Sequence, residues 1–259
     1  MKHVLLLLLT AILMISCGQQ PEVRTISLDE KERAHCIEVL RLYQNVDSQL
    51  IDEKNRVYQL MLKYSIPGGE PSEAEKDYFL HNVVHIDSVM SMGISLVAES
   101  KYDELLALLE TEINNIYGHP HHTIDNELLL HDVMMLLYFK KYPHIESLAK
   151  SIPLLEWTMI RMETSSDRHP MYVQILMEIL AYYDILEKQT EVISVGQKLS
   201  SYAIQAGDEK AQIYSSLLME HSYNMEGMQE LGDSCCNSVK HLLDKYPEVY
   251  ETTMQFLNR

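Results

Sequence analysis

The chain is 259 residues long and carries 38 Asp and Glu against 21 Lys and Arg, a formal charge of −17. That length buries a substantial core in one extended domain or two small ones. The acidic balance argues against a nucleic-acid backbone or an anionic bilayer as principal partner, because both repel such a surface. Glycine (9) and proline (8) are scarce, which excludes a collagenous, low-complexity or disulfide-knot protein and points to an ordered, helix-rich fold.

Lys2 and His3 precede an apolar run over residues 4–15, broken only by Thr10, and then Ser16, Cys17 and Gly18. The run is shorter than the roughly 20 residues that cross a bilayer. A basic start followed by a short apolar run is the signal-peptide pattern. Met14-Ile15-Ser16-Cys17 resembles a bacterial lipobox. That resemblance implies a cleaved signal peptide over residues 1–16 and covalent lipid on Cys17, each buried CH₂ adding about 0.8 kcal/mol of membrane affinity. An ordinary leader with an incidental cysteine is the alternative. Residues 17–27 then form a lipidated tether, in which Pro21 discourages helix. Gly18, where an inner-membrane retention signal of enteric bacteria has aspartate, makes the outer membrane the expected destination. The stretch Gly18-Gln19-Gln20-Pro21-Glu22 resembles the export tags of Bacteroidota surface lipoproteins, and both the periplasmic face and the cell exterior stay open.

Residues 23–66 contain neither glycine nor proline. Val39, Tyr43, Val46, Leu50, Val57, Met61 and Tyr64 make one apolar stripe, on a long helix or on two broken near residues 52–55. Pro67, Gly68, Gly69 and Pro71 mark a turn, and Ser72 with Glu75 reads as a capping box opening a second helix to about residue 98. Residues 28–85 are thus an N-terminal helical region. Further helices are expected over 101–117, 125–142, 144–163, 170–188, 191–205, 208–226 and 229–245. Pro143 and Pro170 suit first helical turns, Gly207 suits a C-cap, and Asp208 suits an N-cap. No stretch alternates with period two, so the expected class is all-α.

Met92-Gly93, Leu96 and Lys101-Tyr102-Asp103-Glu104 resemble a tetratricopeptide repeat, with its small glycine late in the first helix and a Tyr-Asp-Glu opening of the second. Leu105 and Glu112 stand where that family has small residues, and Ser100 replaces its turn glycine. Tyr223, Gly227 and Gly232 repeat the pattern. The steps from Leu96 to Tyr138, Tyr183 and Tyr223 are longer than the 34 residues of that repeat. The resemblance implies stacked antiparallel helical hairpins over residues 86–259, a tetratricopeptide-like α-solenoid, with a concave surface for a protein or peptide. An irregular helical bundle is the alternative.

The search for chemistry finds little. His81 and His85 lie four apart with Asp77 one turn back, a spacing that offers two nitrogens to a divalent metal. Asn82 stands where a zinc protease has its glutamate. His119, His121 and His122 surround Pro120 and could trap a transition metal weakly, although a polar turn explains them too. His131-Asp132 lacks the other members of a phosphohydrolase site. There is no Gly-rich phosphate loop, nucleophile elbow or Ser-x-x-Lys motif. Cys36, Cys235 and Cys236 are odd in number, contain no CxxC pair, and read as small residues packed in helices.

Sixteen tyrosines offer ring area plus a hydroxyl for a peptide or glycan. Most are expected in the core. Tyr102, Tyr138, Tyr182, Tyr183 and Tyr223 are the candidates for a partner surface. The expected function is a lipid-anchored, non-catalytic envelope scaffold that binds a protein or peptide, with no nucleic-acid partner and no cofactor beyond the lipid on Cys17. The alternative is a small-ligand or metal-binding lipoprotein using His81, His85 and residues 119–122.

Overall fold

A computed structural model describes residues 24–45, 72–73, 85–117, 124–164 and 169–258. Cys17, the turn at 66–71, His81 and the histidines at 119, 121 and 122 lie outside the described residues. Among those described there are ten α-helices and no strand. They are α1 (Glu30–Asn45), α2 (Ile86–Ala98), α3 (Tyr102–Tyr117), α4 (Ile124–Lys141), α5 (His144–Thr164), α6 (Tyr172–Ile185), α7 (Gln189–Ala206), α8 (Glu209–Met225), α9 (Gln229–Leu243) and α10 (Pro247–Leu257). The class is all-α, and the helices fall in two compact units, Met1–Ser147 and Leu148–Arg259.

Four helix ends share one backbone device. Ser100, Glu187, Gly207 and Gly227 all adopt positive φ, between 55° and 74°. The N–H after each donates back across the turn, from Lys101 to Leu96 (2.9 Å), Lys188 to Tyr183 (2.9 Å), Asp208 to Ala203 (2.9 Å) and Met228 to Tyr223 (2.8 Å). This is the Schellman termination, which satisfies carbonyls that a helix end leaves orphaned. The last three αL residues stand 20 residues apart, so the α8–α9 turn repeats the α6–α7 turn after 40 residues. Of the four residues by which the sequence repeats are counted, Leu96, Tyr183 and Tyr223 are acceptors in this turn and Tyr138 is not.

In the first unit α1 packs on α2 and α4, and α3 packs on the same two helices. α1 therefore packs in the same unit as the first hairpin. Gly93 lets this happen. A β-carbon there would lie 3.3 Å from methyls of both Leu105 and Leu40, and both leucines are fully buried. Leu105 is a knob that the Gly93 gap receives. Asp29 opens α1 with a capping box, its carboxylate accepting from the N–H of Glu32 (2.9 Å) while Glu32 accepts from the N–H of Asp29 (2.9 Å).

The end of the expected tether is docked. Ile26 and Leu28 are buried, and the N–H groups of Arg24 and Ile26 donate to the Lys141 carbonyl (3.1 Å) and the Asp103 carboxylate (3.4 Å). Burial of Ile26 holds the chain on the unit, so residues 24–27 are part of the fold.

In the second unit α6, α7, α8 and α9 pack each on the next in chain order, and α8 also packs on α6 and α10. Ile213, Leu217, Val239 and Leu242 form one buried cluster, against which Leu243, Tyr246 and Val249 pack. Gly232 permits the α8–α9 approach, since a β-carbon there would meet the Asn224 side chain at 2.6 Å and the Glu220 carbonyl at 3.1 Å. Asp208 caps α8 by accepting from the Ala211 N–H (3.0 Å).

Candidate functional site

The five tyrosines separate into two kinds. Tyr102, Tyr138, Tyr182 and Tyr183 are buried, which corrects the expectation that they form a partner surface. Each sits on a face that packs against a neighbouring helix, where ring area removed from water stabilises the hairpins. The Tyr183 hydroxyl donates to Glu156 of α5, and Tyr102 donates to the Ser100 hydroxyl at 3.3 Å. Burial pushes the Tyr183 phenol well above its usual range, with the Glu156 bond acting in the same direction. Tyr223 alone stays partly exposed, and its hydroxyl accepts from the side-chain amide of Gln197 on α7 at 3.2 Å.

Of the histidines proposed as metal ligands only His85 is described. Its Nε2 lies 2.5 Å from the Glu112 carboxylate of α3. Glu112 is thus the partner that ties the start of α2 to α3. Among the described residues no group of three His, Cys, Asp or Glu converges as a metal centre would need. His131 and Asp132 are adjacent yet point to different environments. His131 is buried, which pushes its pKa down to about 3. Asp132 accepts from Nε2 of His35 on α1 at 2.5 Å, and that bond raises the His35 pKa. Cys36 is buried beside them, its thiol pushed up to about 12 by desolvation, so it is not a nucleophile.

A polar seam that no sequence motif announces runs between α6 and α8. The Tyr214 hydroxyl donates to the Met177 carbonyl at 3.4 Å. Glu178 is buried nearby, and Asp184 is held above the ordinary carboxylate range by burial, with His221 opposing that shift. Met177 and Asp184 are seven residues apart, as are Tyr214 and His221, so two facing i, i+7 pairs were the signal available in the sequence. The Tyr214–Met177 bond is made in one register of α8 on α6 only, which is how such a bond specifies packing.

No family model, curated protein or solved structure matches the chain. The functional reading therefore comes from the surface itself. Around the α8–α9 turn Met225, Met228 and Leu231 are exposed, Met225 by 64%. They lie within nine residues of Tyr223, on either side of Gly227, whose αL conformation sets the turn. Exposed large apolar side chains this close in sequence are the strongest surface feature about this turn. Among the described residues no helix is long and apolar enough to cross a membrane.

Proposed function

We propose that this protein is a lipid-anchored, non-catalytic scaffold of a Gram-negative cell envelope. It is held in the outer membrane by acyl chains on Cys17, and it binds a protein or peptide partner through its tetratricopeptide-like helical hairpins. The observation that carries the reading is the exposed set Met225, Met228 and Leu231 beside the partly exposed Tyr223, about one hairpin turn. Tyrosine and methionine there combine adaptable apolar area with one hydroxyl, a composition suited to peptide recognition. The docked segment 24–28 and α1 cap the first hairpin and lead the chain toward the membrane.

The test is recovery of partners from detergent-solubilised membranes on the tagged full chain, beside Cys17→Ala and the double variant Met228→Glu/Leu231→Glu. A partner bound by the wild type and lost from the double variant supports the reading. A partner recovered only with the acylated chain means that co-localisation in the membrane limits binding. Equal recovery on wild type and double variant would move the binding surface elsewhere. The metal-binding alternative has His85 as its one described member, and Glu112 already engages it. Metal retained through purification, with no protein partner, would restore that alternative.

A further inference from the structure

The surface about the α8–α9 turn carries one sign of charge. Between Lys210 and Lys240 the chain has no lysine or arginine, and it has four acids, Glu220, Glu226, Glu230 and Asp233. Glu220 is turned into the helix pair, beside the Cys236 thiol. Glu226, Glu230 and Asp233 are exposed and stand in sequence among the exposed Met225, Met228 and Leu231. Among the described residues none of these three carboxylates has a hydrogen bond or an ion pair. The neighbouring bases are accounted for. Lys210 pairs with Glu248 at 2.9 Å, and Lys240 lies nine residues past Leu231, about 13 Å along α9 at 1.5 Å per residue. Leu180 of α6 and Met219 of α8 both meet α7 at Gly196, five and six residues before their helices end, so the α6–α7 turn stands at the same end of the unit. It adds Glu187 and Glu191 against one base, Lys188, whose ammonium sits 5.5 Å from the centre of the Tyr183 ring. The half-buried His221 faces Asp184.

We propose that the occupant of this surface is a basic amphipathic segment of a partner protein, one whose large apolar side chains are set between lysines or arginines. The inference rests on the reading that the α8–α9 turn binds the partner, and it adds the partner's chemistry. The apolar anchors settle on Met225, Met228 and Leu231, where flexible thioether chains fit differing shapes. The flanking cations meet Glu226, Glu230 and Asp233, which have no cation of their own to displace. The same acids turn away other occupants. A second copy packed turn to turn about a two-fold axis brings one acidic rim against an identical one, and an anionic lipid surface is repelled.

The experiment is selection of a displayed library of random peptides on the full chain in non-ionic detergent, after depletion on the double variant Met228→Ser/Leu231→Ser, whose fold is checked by its thermal unfolding. The surviving peptides are expected to carry net positive charge around large apolar residues. Anisotropy titration of a surviving peptide then compares Glu226→Gln/Glu230→Gln with Glu146→Gln/Glu251→Gln, which removes two exposed acids elsewhere. The first pair raises Kd on the order of fivefold at low ionic strength, and less as salt is added. The second leaves Kd in place. Acidic or neutral survivors, or equal Kd in the two glutamine pairs, would overturn the basic partner while leaving the turn as the binding surface. A library emptied by the depletion step would overturn the surface and the inference together.

Discussion

Gly196 of α7 and Met219 of α8 occupy one space: a β-carbon at residue 196 would stand 2.5 Å from the Met219 Cγ and 3.0 Å from its Sδ. Met219 is buried, so its side chain has nowhere to swing. Gly196→Ala gains helix propensity of about 1 kcal/mol, but overpacking of this kind costs about 1–3 kcal/mol. A net loss of about 1 kcal/mol is expected in urea denaturation. In a Met219→Ala background the same substitution should become neutral or stabilising, which a double-mutant cycle reads directly.

The αL turn residues give a prediction of opposite sign at two sites. Glu187 holds φ 55° with a β-carbon, whereas Gly227 holds φ 74° without one and has open space around it. Glu187→Gly should stabilise by about 1 kcal/mol and Gly227→Ala should destabilise by a similar amount. Thermal unfolding would register each as a shift of about 2–4 °C. A Glu187→Gly variant that melts below the wild type would contradict the turn geometry.

Tyr183 and Tyr223 should respond differently to loss of a hydroxyl. Tyr183→Phe removes the donor to Glu156 at a buried position and is expected to cost about 1 kcal/mol of stability. Tyr223→Phe loses an exposed contact with Gln197 and should leave the unfolding midpoint in place. Equal effects would mean that Tyr183 does not tie α5 to α6.

Two histidines give the stability curve opposite slopes. The bond to Asp132 raises the His35 pKa above its ordinary 6.5. With the folded value above the unfolded one, the pair contributes fully below the unfolded pKa and is lost as pH rises through the folded one. His131, pushed down to about 3 by burial, acts in reverse. The unfolded chain takes up a proton that the folded chain refuses, so stability present above about pH 6.5 falls as pH drops toward 3. His35→Ala should cost about 1–3 kcal/mol near pH 6, by leaving the buried Asp132 carboxylate without its cation, and should flatten the alkaline slope. His131→Leu should flatten the acid slope. Urea midpoints across pH test both, and an unchanged alkaline slope in His35→Ala would contradict the ion pair.

The helices were readable in the sequence wherever glycine, proline or a capping aspartate punctuated them. Gly207 and Asp208 end α7 and open α8 as their residue types require. Gly93 was readable as a close approach, but what fills it was not. Leu105 enters the Gly93 gap and Glu112 pairs with His85, and both facts belong to three-dimensional neighbours. α10 was missed because Pro247 reads equally as a stop to α9 and as the first turn of a new helix. The Asp29–Glu32 capping box is hidden in the sequence for the same kind of reason, since the unbroken run beyond it blurs where the helix starts. The buried tyrosines show the limit most plainly. Helical spacing places a ring on a face, and only the packed neighbour decides whether that face is wet.

Membrane attachment through Cys17 is the claim on which the scaffold reading stands. The most direct measurement is metabolic labelling with an alkyne-tagged fatty acid in a Gram-negative host, on the wild-type chain and on Cys17→Ala. Label on the wild-type protein in the outer-membrane fraction, absent from Cys17→Ala, is the expected result. An unlabelled wild-type chain, cleaved and released from the membrane, would contradict it.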